Sequence, residues 1–181
     1  MIQPGRREAA QVTLRAAHPA DAPLLQRWRR EASIKRYQPL AEVSLPQLRA
    51  ELAGQRMDDL YRGRGERFQW IVVADDAPAG WITLVVTNWE HGLAELGYAL
   101  TTAHQGRQTM RAALDQLLTD LFLNTALARI EARCAVGNVR SQKLLERLGF
   151  VREGRLREYF VLAGKRADNF LYALLRSDYG G

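Results

Sequence analysis

The stretch Asn138-Val139-Arg140-Ser141-Gln142-Lys143-Leu144-Leu145-Glu146-Arg147-Leu148-Gly149-Phe150-Val151-Arg152-Glu153-Gly154 decides how the chain reads. Its first half is a short amphipathic helix. Asn138 suits the N-cap, where a side-chain oxygen accepts from the free amides of the first turn. Ser141, Leu144, Leu145 and Leu148 follow at spacings of three, four and seven, which puts them on one helical face. Gly149 stands just past the last apolar position, where a helix that stops sharply needs a left-handed residue. Phe150 and Val151 then open an extended run. Ser141 is the oddity, a hydroxyl on a face otherwise made of leucine. A buried hydroxyl needs a partner, and at the first turn of a helix that partner can be a ligand.

Working outward, residues 1–10 are polar and expected to be flexible, and residues 11–181 are expected to form one domain. Gln11 to Ala17 alternates as a first strand. His18-Pro19-Ala20-Asp21 opens a helix whose buried stripe is Leu24, Leu25 and Trp28. A second helix starts near Ser44, with Leu45, Leu48 and Leu52 on one side. Phe68 to Ala74, Trp81 to Thr87 and Leu93 to Leu100 are strands joined by short turns, an antiparallel meander with exposed edges. Arg107 to about Leu123 is helical in period, and Arg129 to Val136 is a fifth strand. The helix from Asn138 follows, then strands over roughly Phe150 to Leu162 and Asp168 to Leu175. The order β-α-α-β-β-β-α-β-α-β-β is that of an α/β domain, an antiparallel front half meeting a βαβ unit.

With 181 residues, 47% apolar and 25% charged, the chain has the make-up of an ordinary globular domain with a single substantial core. Its apolar stretches are too short to span a bilayer, and Met1 to Arg15 carries no signal-peptide core, so a cytoplasmic location is expected. A single cysteine, Cys134, excludes an internal disulfide, and three histidines with no second cysteine build no structural zinc spacing. No metal is expected. The net charge of +6 favours an anionic ligand or partner without choosing among them. Arginine makes up nearly all of the 26 basic residues, a bias that reflects codon usage more than function. The Arg-Gly tract Arg62 to Arg67 is a single short instance and reads as a solvated loop, so nucleic acid is not an expected partner.

The second informative stretch runs from Gly97 through Tyr98, Ala99 and Leu100 to Gln105-Gly106-Arg107-Gln108-Thr109-Met110. It joins a strand to a helix through a small, polar, glycine-bearing loop. Amides at a helix start carry partial positive charge and bind phosphate oxygens.

Together the two stretches resemble the GNAT acyl-CoA-dependent N-acetyltransferases, in particular the RimJ/RimL-like group that acetylates ribosomal-protein amino termini. The family's loop pattern Gln/Arg-x-x-Gly-x-Gly/Ala is occupied by Gln105, Gly106, Arg107, Gln108, Thr109 and Met110. Its helix pattern Asn-x-x-Ser, then Leu-Gly-Phe and Glu-Gly, is met by Asn138, Ser141, Leu148, Gly149, Phe150, Glu153 and Gly154. Glu95-Leu96-Gly97-Tyr98 resembles its fourth strand, and Gly164, Asp168, Tyr172 and Asp178 its closing strands. The resemblance implies a mixed, mostly antiparallel twisted sheet of about seven strands with flanking helices, and acetyl-CoA as acyl donor without a metal. It implies direct attack of a neutral amine on the thioester, most readily a ribosomal-type protein N-terminal α-amine. A small amine (polyamine, amino acid or antibiotic) and a non-catalytic acyl-CoA-binding module are the alternatives. Tyr98, Ala99 and Leu100 would hold the thioester and its oxyanion, with Gln105 to Met110, Asn138 and Ser141 on the rest of the cofactor. Ser141 would donate to the leaving thiolate and Glu95 would serve as base, alone or through water. Trp28 and Tyr37, near the turn Gln38-Pro39-Leu40, would help wall the acceptor site, and a homodimer would fit the exposed strand edges.

Three positions depart from the pattern. Gln108 stands where the loop usually has glycine, and is expected to be right-handed with its amide still on offer. Met110 replaces a glycine or alanine. Leu145 stands where many GNAT enzymes carry a proton-donating tyrosine. From the residues alone, alternation does not say which face of its strand Glu95 uses. Ser141 and Asn138 could equally be capping groups.

Overall fold

In the computed structural model, which describes residues 11–179, one seven-stranded sheet carries the chain. Its strands are β1 (Val12–Ala16), β2 (Arg67–Ala74), β3 (Ala77–Asn88), β4 (Leu93–Leu100), β5 (Arg129–Ala135), β6 (Val151–Leu162) and β7 (Lys165–Leu175). They lie in the order β1-β2-β3-β4-β5-β7-β6. Each neighbouring pair is antiparallel except β4 with β5. The helices are α1 (Ala22–Arg29), α2 (Ala32–Lys35), α3 (Leu45–Ala53), α4 (Met57–Tyr61), α5 (Thr109–Asn124) and α6 (Val139–Arg147).

Local chemistry explains most of these boundaries. Asp75 and Asp76, at φ of 50° and 62°, supply the two left-handed residues of a tight hairpin between β2 and β3. Ser44 and Gln47 close a reciprocal capping box at the start of α3, with Pro46 in its first turn. Gly149 sits at φ 88° immediately after α6, as that helix's end requires. The short helices α2 and α4 were not expected; four and five residues are too few to show a helical period. The meander β2-β3-β4 has no free edge, contrary to expectation, because β1 covers one side and β5 the other. The outer strands are β1 and β6. The expected flexibility of residues 1–10 falls outside the described residues.

Each face of the sheet has its own core. Leu96, Ile130, Ala132, Cys134, Tyr172 and Leu174 share one with Leu114, Leu117, Leu118 and Leu121 of α5 and Leu145 and Leu148 around α6. Ile71, Trp81 and Ala99 face the other way, against Leu25 and Trp28 of α1, Ile34 of α2 and Leu48 and Leu52 of α3. Trp28 stacks on Trp81 with ring centroids 6.2 Å apart. Tyr172 ties α6 to the sheet by donating to Glu146 at 3.1 Å. Burial first, then that carboxylate, push its phenol up to about 12.

Towards its far end β6 carries extra residues opposite β7, between Leu156 and Phe160. Glu158 takes a positive φ of 50° there. Asp168 of β7 pins this bulge, accepting from the Glu158 amide and from Arg155 Nε, each at 2.7 Å. The Glu158 amide first, and Arg155 second, hold the Asp168 carboxyl below its usual range. A lowered carboxylate pKa stabilises the fold in full above the unfolded value of about 4 and loses that stabilisation as pH falls through the folded value. Protection of the Glu158 amide, its intrinsic exchange rate over the observed one, should therefore be highest at neutral pH, fall below about pH 4, and be low throughout in Asp168→Ala.

Candidate active site

The parallel pair β4–β5 runs only from Leu93–Arg129 to Leu96–Ala132. Beyond it β4 continues through Gly97 to Leu100 and β5 through Arg133 to Ala135, and the two no longer bond to each other. The gap between them is where β4 shows unpaired backbone. The Thr101 amide donates to Ala79 of β3 at 2.9 Å. Alternate residues of β4 turn the same way, so Gly97 and Ala99 also bond toward β3. The main-chain groups of Tyr98 and Leu100 then face the gap. Two side-chain amides fill part of this vacant edge. Gln38, in the segment after α2, donates to the Tyr98 carbonyl at 2.7 Å, and Gln105 donates to the Leu100 carbonyl at 3.1 Å. Both carbonyls are thus poised to accept an amide N–H.

Past the end of β4 lies the loop into α5. Gly106 takes φ 80° and Gln108 φ 59°. The expectation of a right-handed Gln108 is corrected here: the residue is left-handed and caps the helix from outside, so α5 begins at Thr109. The loop's usual glycine is thereby explained, since a Cβ in this conformation costs about 1–2 kcal/mol. Amides in the first turn of α5, at Thr109, Met110 and Arg111, lack intrahelical acceptors. The Thr109 hydroxyl is buried with no partner. Arg140 of α6 reaches across to the Gln105 side-chain oxygen at 3.3 Å, joining the loop to the second motif. Free amides and two flanking arginines (Arg107 and Arg140) are a donor set for a pyrophosphate.

On the α5–α6 side of the gap, Asn138 accepts from the Ser141 amide at 3.2 Å, the capping role read from the sequence. The Ser141 hydroxyl lies 2.7 Å from the Tyr98 hydroxyl. Burial pushes the Tyr98 phenol well above its usual value, so it stays protonated. Burial likewise raises the Cys134 thiol, which points to the Asn138 carbonyl at 3.5 Å. Tyr98 and Ser141, two residues read as site members from motifs 43 positions apart, are in direct contact.

Glu95 lies on the opposite face of β4. It shares the parity of Ala99, which packs toward α1–α3, and its carboxylate is bonded by Arg133 of β5. Arg133 also lies 5.3 Å from the Tyr159 ring centroid, and its remaining carboxylate neighbour, Glu131, is 3.7 Å away. Tyr37 stands against Gly137 just after β5, where a Cβ would come within 3.6 Å of its ring. Trp28, expected at the acceptor wall, is 3% exposed and stacked inside the second core, so it offers an acceptor almost no surface. Arg133, bonded to Glu95, and Tyr159, over the Arg133 guanidinium, had no place in the sequence reading. Arg133 could have been found from strand alternation, whereas Tyr159 sits within a bulge that breaks the period.

This geometry has a family. The GNAT acetyltransferase domain matches residues 11–151, and the chain belongs to that family. It is 33% identical to the N-acetyltransferase p20 of Bacillus licheniformis over 94% of this chain and 96% of that one. Ribosomal-protein-serine acetyltransferase of Escherichia coli is 30% identical over 61% of this chain and 62% of its own. The solved spermidine N-acetyltransferase of Vibrio cholerae in complex with CoA and spermine superposes with a TM-score of 0.80 at 27% identity, covering 94% and 99% of the two chains. The protein is an N-acetyltransferase that uses acetyl-CoA as acyl donor. No group of metal-ligating residues occurs among the described residues.

Gln108→Gly should relieve the left-handed strain, offset in part by the flexibility of glycine in the unfolded chain. Stability should rise by about 0.5–1 kcal/mol, or roughly 1–4 °C in Tm, read by thermal unfolding. Affinity for coenzyme A, measured by calorimetry, should not fall.

Proposed function

We propose that the acceptor is the α-amine at a protein amino terminus, acetylated by direct attack on the thioester. The observation that carries this reading is the state of the carboxylates on the acceptor-side face. Glu95 is engaged by Arg133, and Glu131 is held by Arg129 at 2.8 Å. Around α2, Glu31 accepts from the Thr102 amide and hydroxyl, and Glu42 is bridged by Lys35 and Arg30. Each of these groups is paired within the chain, so none of the four is left without a partner to hold a polycation. An α-amine has a reference pKa of about 7.7–8.0, against about 10.4 for a lysine-like alkylamine. Near pH 7.4 roughly a quarter of the first is already free base, against about a thousandth of the second. A face of committed carboxylates suits the weaker base.

The roles follow from the two sides of the gap. Acetyl-CoA supplies the activated acetyl group, and Gln105 to Met110, with Arg140, would hold its pyrophosphate. The strand edge at Tyr98, Ala99 and Leu100 would bond the pantetheine and offer an amide to the carbonyl oxygen under attack. Ser141 would donate to the departing sulfur from the α6 side. Glu95, on the other face, would take the amine's proton through water. Acid and base thus stand on opposite sides of the reacting bond, as displacement at a thioester demands.

The test is turnover on N-terminal peptides beside a panel of polyamines and small amines. Peptides should be acetylated, with kcat/KM rising through an inflection near the α-amine value of about 7.7–8.0. Ser141→Ala should lower kcat about 10–100-fold, the worth of one hydrogen bond to a developing anion, without weakening coenzyme A binding. Glu95→Gln should lower kcat/KM at least about tenfold. Turnover confined to polyamines would sink the peptide reading and favour a substrate like that of the Vibrio cholerae relative.

A further inference from the structure

Two polar atoms on the acceptor-side face are buried without partners: Arg133 Nε on β5 and Asn169 Oδ1 on β7. Asn169 is 2% exposed, in the middle of the sheet between Ala135 of β5 and Leu156 of β6. Register puts both on one face. Glu95 pairs across to Glu131, Arg133 follows two residues on, and Arg133 and Ala135 pair with Leu171 and Asn169. Asn169 is therefore the diagonal neighbour of Arg133, with Cα atoms about 7–8 Å apart. The Asn169 Oδ1 has no hydrogen-bond partner in the structure. A buried polar group left unpaired is costly, and two on one face, one of them on the strand that borders the gap and bonded to the proposed base, point to a ligand that completes them.

The pair has a chemical signature. Arg133 Nε is a donor whose neighbouring nitrogen already bonds Glu95, so it needs an acceptor oxygen. Asn169 Oδ1 is an acceptor and needs an N–H. A peptide unit offers both, a carbonyl oxygen and an amide hydrogen directed away from each other. A polyamine offers donors only and would leave Arg133 Nε unpaired.

We infer that Arg133 and Asn169 recognise the first peptide bond of the acceptor, and so select polypeptide amino termini over free amines. This rests on the proposed peptide acceptor and names the residues that read it. The first carbonyl would accept from Arg133 Nε, and the amide of the second residue would donate to Asn169. Glu95 and Arg133 then hold adjacent parts of the same substrate, its amine and its first carbonyl. Tyr159, over the Arg133 guanidinium, and Tyr37, at the foot of α6, would flank the emerging chain.

The experiment compares an alanine-initiated tripeptide amide with ethylamine, the same amine without its carbonyl, in wild type, Asn169→Ala and Asn169→Leu. The ratio of kcat/KM for peptide over amine should fall about tenfold in both variants, mostly through peptide KM, with the KM for acetyl-CoA unchanged. Asn169→Leu should unfold at the same temperature as wild type or higher, because an orphaned polar group is replaced by an apolar one of similar size. An unchanged ratio, or an equal loss on both substrates together with a lowered Tm, would overturn the assignment and leave the peptide acceptor standing. A wild-type enzyme that acetylates amines but no peptide would overturn the acceptor and the assignment together.

Discussion

Everything in the site follows from the parting of β4 and β5 after four bonded pairs. A parallel pair inside a sheet normally continues as far as both strands run, because unpaired backbone in a protein interior is costly. Here β4 runs on paired with β3 alone, and two glutamine side chains take up carbonyls that β5 would have bonded. Gln38 comes from the acceptor side and Gln105 from the phosphate loop. Each end of the exposed edge is thus covered by a residue belonging to a different part of the site.

That parting also separates the chemistry. Alternation along β4 sends Tyr98 to the α6 side and Glu95 to the α1–α3 side, although the two are only three residues apart. The first side gathers neutral donors: the Tyr98 phenol, the Ser141 hydroxyl and the Cys134 thiol, the phenol and the thiol kept protonated by burial. The second gathers charges, Glu95, Arg133, Glu131 and Arg129, in one continuous run of ion pairs. Neutral donors and paired charges thus come from opposite faces of one short segment of β4.

Much of this was legible in the chain. The caps at Asn138 and Gly149, the leucine face of α6 and the alternation of the central strands are local signals, and each survives in the fold because nothing in the packing opposes it. What was illegible depends on relations across the sheet. The handedness of Gln108 could not be read, since only the path of the loop dictates it. The face used by Glu95 became clear only once Ala99 was seen to pack on α1–α3. Trp28 looks like a substrate residue in the sequence and is a core residue in space, because its partner Trp81 is 53 positions away. Asn169 sits in a run that reads as ordinary strand, and its importance lies in having no partner, a property no sequence pattern displays.

The orphaned groups give the last step. Thr109 Oγ1, Arg133 Nε and Asn169 Oδ1 are the buried side-chain polar atoms without partners among the described residues. One lies at the phosphate loop and two lie on the acceptor face. At about 1–3 kcal/mol each, they withdraw several kcal/mol from a fold whose total stability is of order 5–15 kcal/mol. Groups that serve only the free chain would be better replaced by apolar ones of the same size. On the proposed reading, donor and acceptor substrates would each supply a partner that the free protein lacks.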